Sequence, residues 1–221
     1  MTTTILQILV SPRAQSFSRL IAREIVARLE QLHPGARIID RDLAAEPPPH
    51  PDLDLYDAIL SPTADTDPRF ALSEQLISEL EAADWVVIGT PMNNFSVPST
   101  LKAWIDHIVR IRRTFASTPA GKVGLLRDRP VIVVSAHGGF CGEAPPGQPD
   151  FLTPYLRTIF HTIGIGRIEF IRLEGVTRGP ESLARALAAA RDWLDSRLPL
   201  PDSSAKPLEP VAGHFDRAGS A

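Results

Sequence analysis

Residues 85–111 read "WVVIGTPMNNFSVPSTLKAWIDHIVRI". The opening "WVVIGT" (85–90) is a short, almost wholly apolar run, the pattern of a strand buried on both faces. From residue 99 the spacing changes: Leu101, Trp104, Ile105, Ile108, Val109 and Ile111 cover an arc of roughly 160° on a helical wheel, wider than the minimum apolar stripe of about 100°. Trp104 and Ile111 lie at one margin of that arc. Such a margin suits either a second subunit, where aromatics are enriched, or a helix buried deeply in one subunit. Between strand and helix stand Met92, Asn93, Asn94 and Phe95, a loop of amides and apolar groups suited to something flat with polar edges.

The same strand-then-helix unit recurs on both sides. Strands are predicted at 5–10, 36–43, 130–136 and 167–176, and helices at 18–32, 69–84, 151–164 and 180–198. Five short apolar strands alternating with five helices predict an α/β protein. Its five-stranded parallel sheet is doubly wound and carries helices on both faces. Five strands favour the flavodoxin-like order over the six-stranded dinucleotide fold. Residues 1–198 read as one domain, 44–68 as an irregular Pro- and Asp-rich insertion, and 199–221 as a loosely ordered tail.

Composition narrows the function. A net charge of −3 over 221 residues gives no electrostatic footprint for nucleic acid. A single cysteine, Cys141, rules out an internal disulfide and fits a reducing compartment. No segment reads as a signal peptide or membrane span. A cytoplasmic protein with no membrane association is expected. The six histidines are scattered, and no metal site is predicted.

In a doubly wound sheet the ligand lies beyond the carboxyl ends of the strands. Three loops leave those ends. "SPRAQSFS" (11–18) offers Ser11, Ser16 and Ser18 beside the N-terminus of the next helix, an anion site by construction; Ser16 also suits a plain helix N-cap. The absence of G-x-x-x-x-G-K-[ST] and of G-x-G-x-x-G after the first strand disfavours nucleoside triphosphates and a conventional dinucleotide fingerprint. A monophosphate such as flavin mononucleotide (FMN) remains. The 91–95 loop would then meet the ring. The third loop, "SAHGG" (135–139), would bring Ser135 and His137 to its carbonyl edges. Gly138-Gly139 would allow close backbone approach or form a simple tight turn.

At these residues the chain resembles the FMN-dependent NADH-azoreductases, members of the flavodoxin-like quinone reductases. "SPRAQSFS", "PMNNFSVPSTLKAWIDHIVRIRRTF" (91–115), "SAHGG" and "IGI…LEGVTRGPE" (163–181) carry the likeness, which spans residues 3 to about 197. The resemblance implies homodimers with one FMN per subunit at the interface. It implies ping-pong transfer from NADH or NADPH to quinones and azo compounds. By position it puts the FMN phosphate on Ser11, Ser16 and Ser18, and the isoalloxazine on Pro91, Met92, Asn93, Asn94, Phe95, Ser135, His137, Gly138 and Gly139. Phe115 and the 136–149 loop are the candidates for crossing to the second subunit. The chain departs from the family where Asn93 replaces the usual Tyr, and where His161 and Thr162 stand in a region that shapes the relatives' substrate pocket. Two other readings use the same residues. A flavodoxin-type electron carrier would show an acidic docking face, against which the Arg-rich "RIRRTF" (110–115) argues. A serine hydrolase built on "HGGF" (137–140) would need a G-x-S-x-G elbow, which the chain lacks.

Overall fold

The structure, a computed structural model, describes residues 2–61, 67–142 and 147–200; residues 201–221 of the expected tail lie outside it. Five parallel strands, β1 (Thr4–Leu9), β2 (Arg37–Asp42), β3 (Trp85–Pro91), β6 (Val131–Ala136) and β7 (Ile168–Leu173), form a sheet in the order β2-β1-β3-β6-β7. This is the expected flavodoxin-like arrangement. Every residue of β1 is buried, whereas edge strand β2 has none fully buried. The register aligns Leu9 with Asp42 and Gly89, and Ala136 with Pro91 and Leu173. All five strands therefore end along one edge.

Alternate strand residues feed two cores. Ile5, Leu9, Val87 and Val134 pack under α1 (Phe17–Leu32) and α6 (Pro180–Arg197). Leu6, Ile8, Val86, Ile88 and Val133 pack under α3 (Ala71–Ala82), α4 (Ser99–Ile108) and α5 (Leu152–Thr162). Period-two alternation in a sheet covered on both faces produces this split.

Four sequence expectations change. The 44–68 segment contains α2 (Leu53–Leu60), whose N-terminus is capped by Asp52 accepting from Leu55 N at 2.9 Å. A 3-10 turn at Pro68–Phe70 precedes α3, which ends at Ala82. The helix expected over 99–111 stops at Ile108. Beyond it Arg112 turns at φ 69° and a two-stranded hairpin follows, β4 (Phe115–Thr118) with β5 (Gly121–Gly124). Of the two readings open for Trp104, burial within one subunit is the one seen: it packs in the core between α4 and the sheet.

Candidate functional site

The serine loop sits at the end of β1, next to the switch point between β1 and β3. Gly89 makes this possible: a Cβ there would fall 2.8 Å from Ser18 O and 2.9 Å from the Cβ of Ala22, so only glycine lets the first turn of α1 close on β3. Ser16 occupies the N-cap with extended backbone (φ −72°, ψ 135°), yet its hydroxyl makes no capping bond. It pairs instead with the Ser18 hydroxyl at 2.9 Å. The first turn of α1 carries no acidic residue, so its N–H groups and the positive end of its dipole meet no carboxylate from the chain's own first turn. Ser11, Ser16 and Ser18 are thus brought together, all at least nine-tenths buried.

A pair that the sequence did not point to holds this loop. The Arg19 guanidinium is buried, donates through Nε to Ser11 O at 2.7 Å and grips both Asp42 oxygens at 2.7 Å. Asp42 also accepts from Ala44 N and Ala45 N at 3.0 and 3.2 Å. The Arg19 bond, with those two amides, holds the Asp42 carboxyl below the usual range. The only hint in the sequence is a charged residue on the apolar face of the helix at 18–32.

The loop after β3 is a tight hairpin. Asn93 and Ser96 exchange two backbone hydrogen bonds of 2.9 Å, and the central residues Asn94 and Phe95 have φ of 47° and 68°. Two consecutive left-handed residues mark a primed turn. Asn tolerates that region, but an aromatic there is held under strain. Asn93 and Asn94 are exposed and Phe95 is 45% exposed, while Pro91 and Met92 are half-buried behind them. Met92 N donates to Ala136 O at 2.8 Å and Phe151 N to Phe95 O at 3.0 Å, which ties the hairpin to β6 and to the start of α5. Phe151, 59% exposed, adds a second aromatic to this edge.

The loop after β6 departs from expectation. Ser135 and His137 are fully buried and do not face the crevice. Their side chains bond each other, Nε2 of His137 lying 2.7 Å from Ser135 Oγ, and what the loop presents outward is the backbone around half-buried Gly138 and the exposed side chain of Phe140. Neither glycine has a left-handed φ. A Cβ on Gly139 would come within 2.7 Å of Gln148 Oε1, the end of a flexible side chain that can move aside. Residues 143–146 of the 136–149 loop lie outside the described residues.

The remaining candidates lie elsewhere. Leu126 N donates to Ile163 O at 3.0 Å and Val131 N to Arg167 O at 2.8 Å, which fixes the end of α5 at the amino edge of the sheet, opposite the three loops. His161 and Thr162 are there, beside a hollow of about 460 Å³ that they line with Lys122, Arg157 and Thr158. Phe115 is buried in the adjoining hairpin, with Lys122 Nζ 5.2 Å from its ring centroid. Phe115, His161 and Thr162 therefore gather near one another and away from the crevice. Among the described residues no group of three or more His, Cys, Asp or Glu side chains is arranged to hold a metal.

A family model described as Flavodoxin-like fold matches residues 3–198. The chain belongs to that family. Among curated proteins the chain is similar to FMN-dependent NADH:quinone oxidoreductase 2 of Cupriavidus pinatubonensis, 51% identical over 197 residues that cover 87% of this chain and 96% of that protein. FMN-dependent NADH:quinone oxidoreductase 4 of Pseudomonas fluorescens is 46% identical over 191 residues, 86% of this chain and 93% of the relative. Among solved structures, an FMN-dependent NADH-azoreductase from Bacillus anthracis in complex with FMN aligns over 89% of this chain and 100% of its own, with TM-score 0.75 and 25% identity.

Proposed function

We propose that the protein is an FMN-dependent oxidoreductase that takes a hydride from NADH and reduces quinones and aromatic azo compounds by a ping-pong mechanism. The observation that carries this reading is the N-terminus of α1: an N-cap serine that does not cap, paired with Ser18, and a first turn without acidic residues. That donor set fits the dianionic monoester of FMN, and relatives named for FMN are 46–51% identical to the chain. Bound FMN would supply the hydride chemistry; the protein supplies position and electrostatics. The serine loop would bind the phosphate, with Arg19 and Asp42 keeping it in place. The exposed amides of Asn93 and Asn94 would bond the polar edge of the ring, with Phe95 and half-buried Met92 bounding its face. The backbone at Gly138 would approach from the other side. Donor and acceptor would use the same open face in turn, so the oxidised nicotinamide would have to leave before the acceptor binds, a ping-pong order. The relatives' names specify NADH, so NADH rather than NADPH is the proposed donor.

A homodimer with shared sites is part of the proposal. Phe115, His161 and Thr162 reach a flavin only if it belongs to a second copy. The protomer also leaves apolar side chains uncovered: Leu53, Tyr56 and Leu60 along α2, and Val123 and Leu125 on and beside the hairpin. No helix among the described residues is long and apolar enough to cross a membrane. The cytoplasm is the proposed location, because the donor is a reduced nicotinamide and Cys141 is a free thiol.

The phosphate assignment is tested by comparing FMN with riboflavin, which lacks the phosphate. Ser16→Ala removes a bond to a charged group, so FMN should bind about ten- to a hundredfold more weakly, with little change for riboflavin. Equal losses for both ligands would make Ser16 a structural residue only.

A further inference from the structure

Arg157, Thr158, His161 and Thr162 stand at i, i+1, i+4 and i+5 on α5 and share one face of that helix. Lys122 of β5 joins them, and the five line a hollow of about 460 Å³, a volume that suits a small ligand of one or two rings. Neighbouring cations on this edge are paired. Arg127 bonds Asp84 at 3.0 Å, Arg167 meets Asp128 at 3.4 Å and Arg197 meets Glu169 at 3.8 Å. Among the described residues Lys122, Arg157 and His161 pair with no carboxylate. Two of them are placed by rings instead: Lys122 Nζ lies 5.2 Å from the Phe115 centroid, and Arg157 Cζ 5.1 Å from that of Phe170. A ring face holds a cation without cancelling its charge. The threonines donate to their own helix, Thr158 Oγ1 to Pro154 O and Thr162 Oγ1 to Thr158 O, both at 2.8 Å. The side-chain donors left to a ligand are the ammonium, the guanidinium and the imidazole, a set that favours an anion.

We propose that this hollow selects the electron acceptor: it binds the carboxylate or sulfonate of an anionic aromatic acceptor, with Lys122 and Arg157 as the specificity-determining residues. The inference rests on the proposed oxidoreductase with shared sites, in which His161 and Thr162 reach the flavin of a second copy. The FMN phosphate, assigned to the serine loop at the opposite edge, does not use these charges. A dinucleotide is larger than the hollow, which favours the acceptor over the donor as the source of the anion.

The test uses two azo compounds of one shape and different charge, the para-carboxylate and the para-carboxamide of dimethylaminoazobenzene. The full-length, FMN-loaded protein is assayed with NADH and each compound, and binding of each to the oxidised protein is measured by equilibrium dialysis. The wild type should show the higher kcat/KM and the lower dissociation constant for the carboxylate. In the double variant Lys122→Gln, Arg157→Gln the carboxylate-to-carboxamide ratio of kcat/KM should fall about three- to tenfold, and the preference in binding should fall with it. Arg23→Gln removes an exposed charge from α1, on the other face of the sheet, and should leave the ratio within a factor of about two. No preference for the carboxylate in the wild type, an unchanged ratio in the double variant, or an equal fall in Arg23→Gln would overturn the inference. A KM for NADH that rises in the double variant while the ratio holds would give the charges to the donor's diphosphate and also overturn it. Lys122→Gln alone, at an exposed hairpin position, carries the test if the double variant does not fold. Menadione separates this inference from the function beneath it. A wild type that reduces menadione with NADH but does not prefer the carboxylate fails the inference only, whereas one that reduces neither menadione nor an azo compound fails the proposed function and the inference with it.

Discussion

At Phe95 the chain holds an aromatic residue at φ 68°, where an L side chain is disfavoured by roughly 1–2 kcal/mol. The second central position of a primed turn favours glycine, and with the ring 45% exposed little packing offsets the cost. On the proposed reading the Phe ring is kept for contact with the bound flavin. Phe95→Gly should raise stability by up to about 1 kcal/mol, because the relief of strain exceeds the lost contacts and the added freedom of the unfolded chain. The same variant should raise the KM for a quinone. Chemical denaturation and steady-state kinetics on one preparation check both, and a destabilised variant with unchanged KM contradicts the assignment. Residue 95 was legible in the sequence because an amide-amide-aromatic loop after a strand has no packing reason. Ser135 and His137 were not: loop polarity says that a side chain needs a partner, not whether that partner is a ligand or a neighbouring residue. Here each satisfies the other, 2.7 Å apart. Arg19 was missed for the same reason, its partner Asp42 being 23 positions away.

Among elements, the sheet strands were readable because burial on both faces makes them short apolar runs. The β4–β5 hairpin was not, because "FASTPAGKVG" (115–124) has neither an apolar run nor clean alternation. It is held by close packing instead. A Cβ at Gly124 would overlap the backbone of Ile163 and Gly164 at the end of α5. Gly124→Ala should cost about 1–3 kcal/mol, because two backbones must separate. Gly166→Ala, whose Cβ would meet only His161 Cε1 at 3.8 Å, should be nearly neutral. Thermal unfolding of the two variants separates them, and equal midpoints would remove the packing argument. α2 was hidden by the prolines and aspartates around it, although Asp52 is the kind of cap that starts a helix. Trp104 shows the limit of the helical wheel. An apolar arc reports that a face is covered, and α4 turned out to be covered by its own sheet and by α3.

For the whole molecule, the arrangement divides the candidate residues between two edges of one sheet. The phosphate loop, the Asn93–Ser96 hairpin and the glycine turn lie at the carboxyl edge; Phe115, His161 and Thr162 lie at the amino edge. Two copies related by a twofold axis would close the assembly and leave two equivalent sites, each drawing on both edges. Light scattering during size exclusion should give twice the mass of one chain, and a monomer with full NADH–quinone turnover would refute the shared site. On the proposed reading the crevice at the carboxyl edge holds FMN and passes electrons from a nicotinamide to a quinone. The purified protein, saturated with FMN, freed of excess and kept anaerobic, is titrated with NADH and then with a quinone while its visible spectrum is followed. The flavin band should bleach with NADH and return with the quinone. A protein that retains no flavin, or a bound flavin that NADH leaves oxidised, would rule that role out.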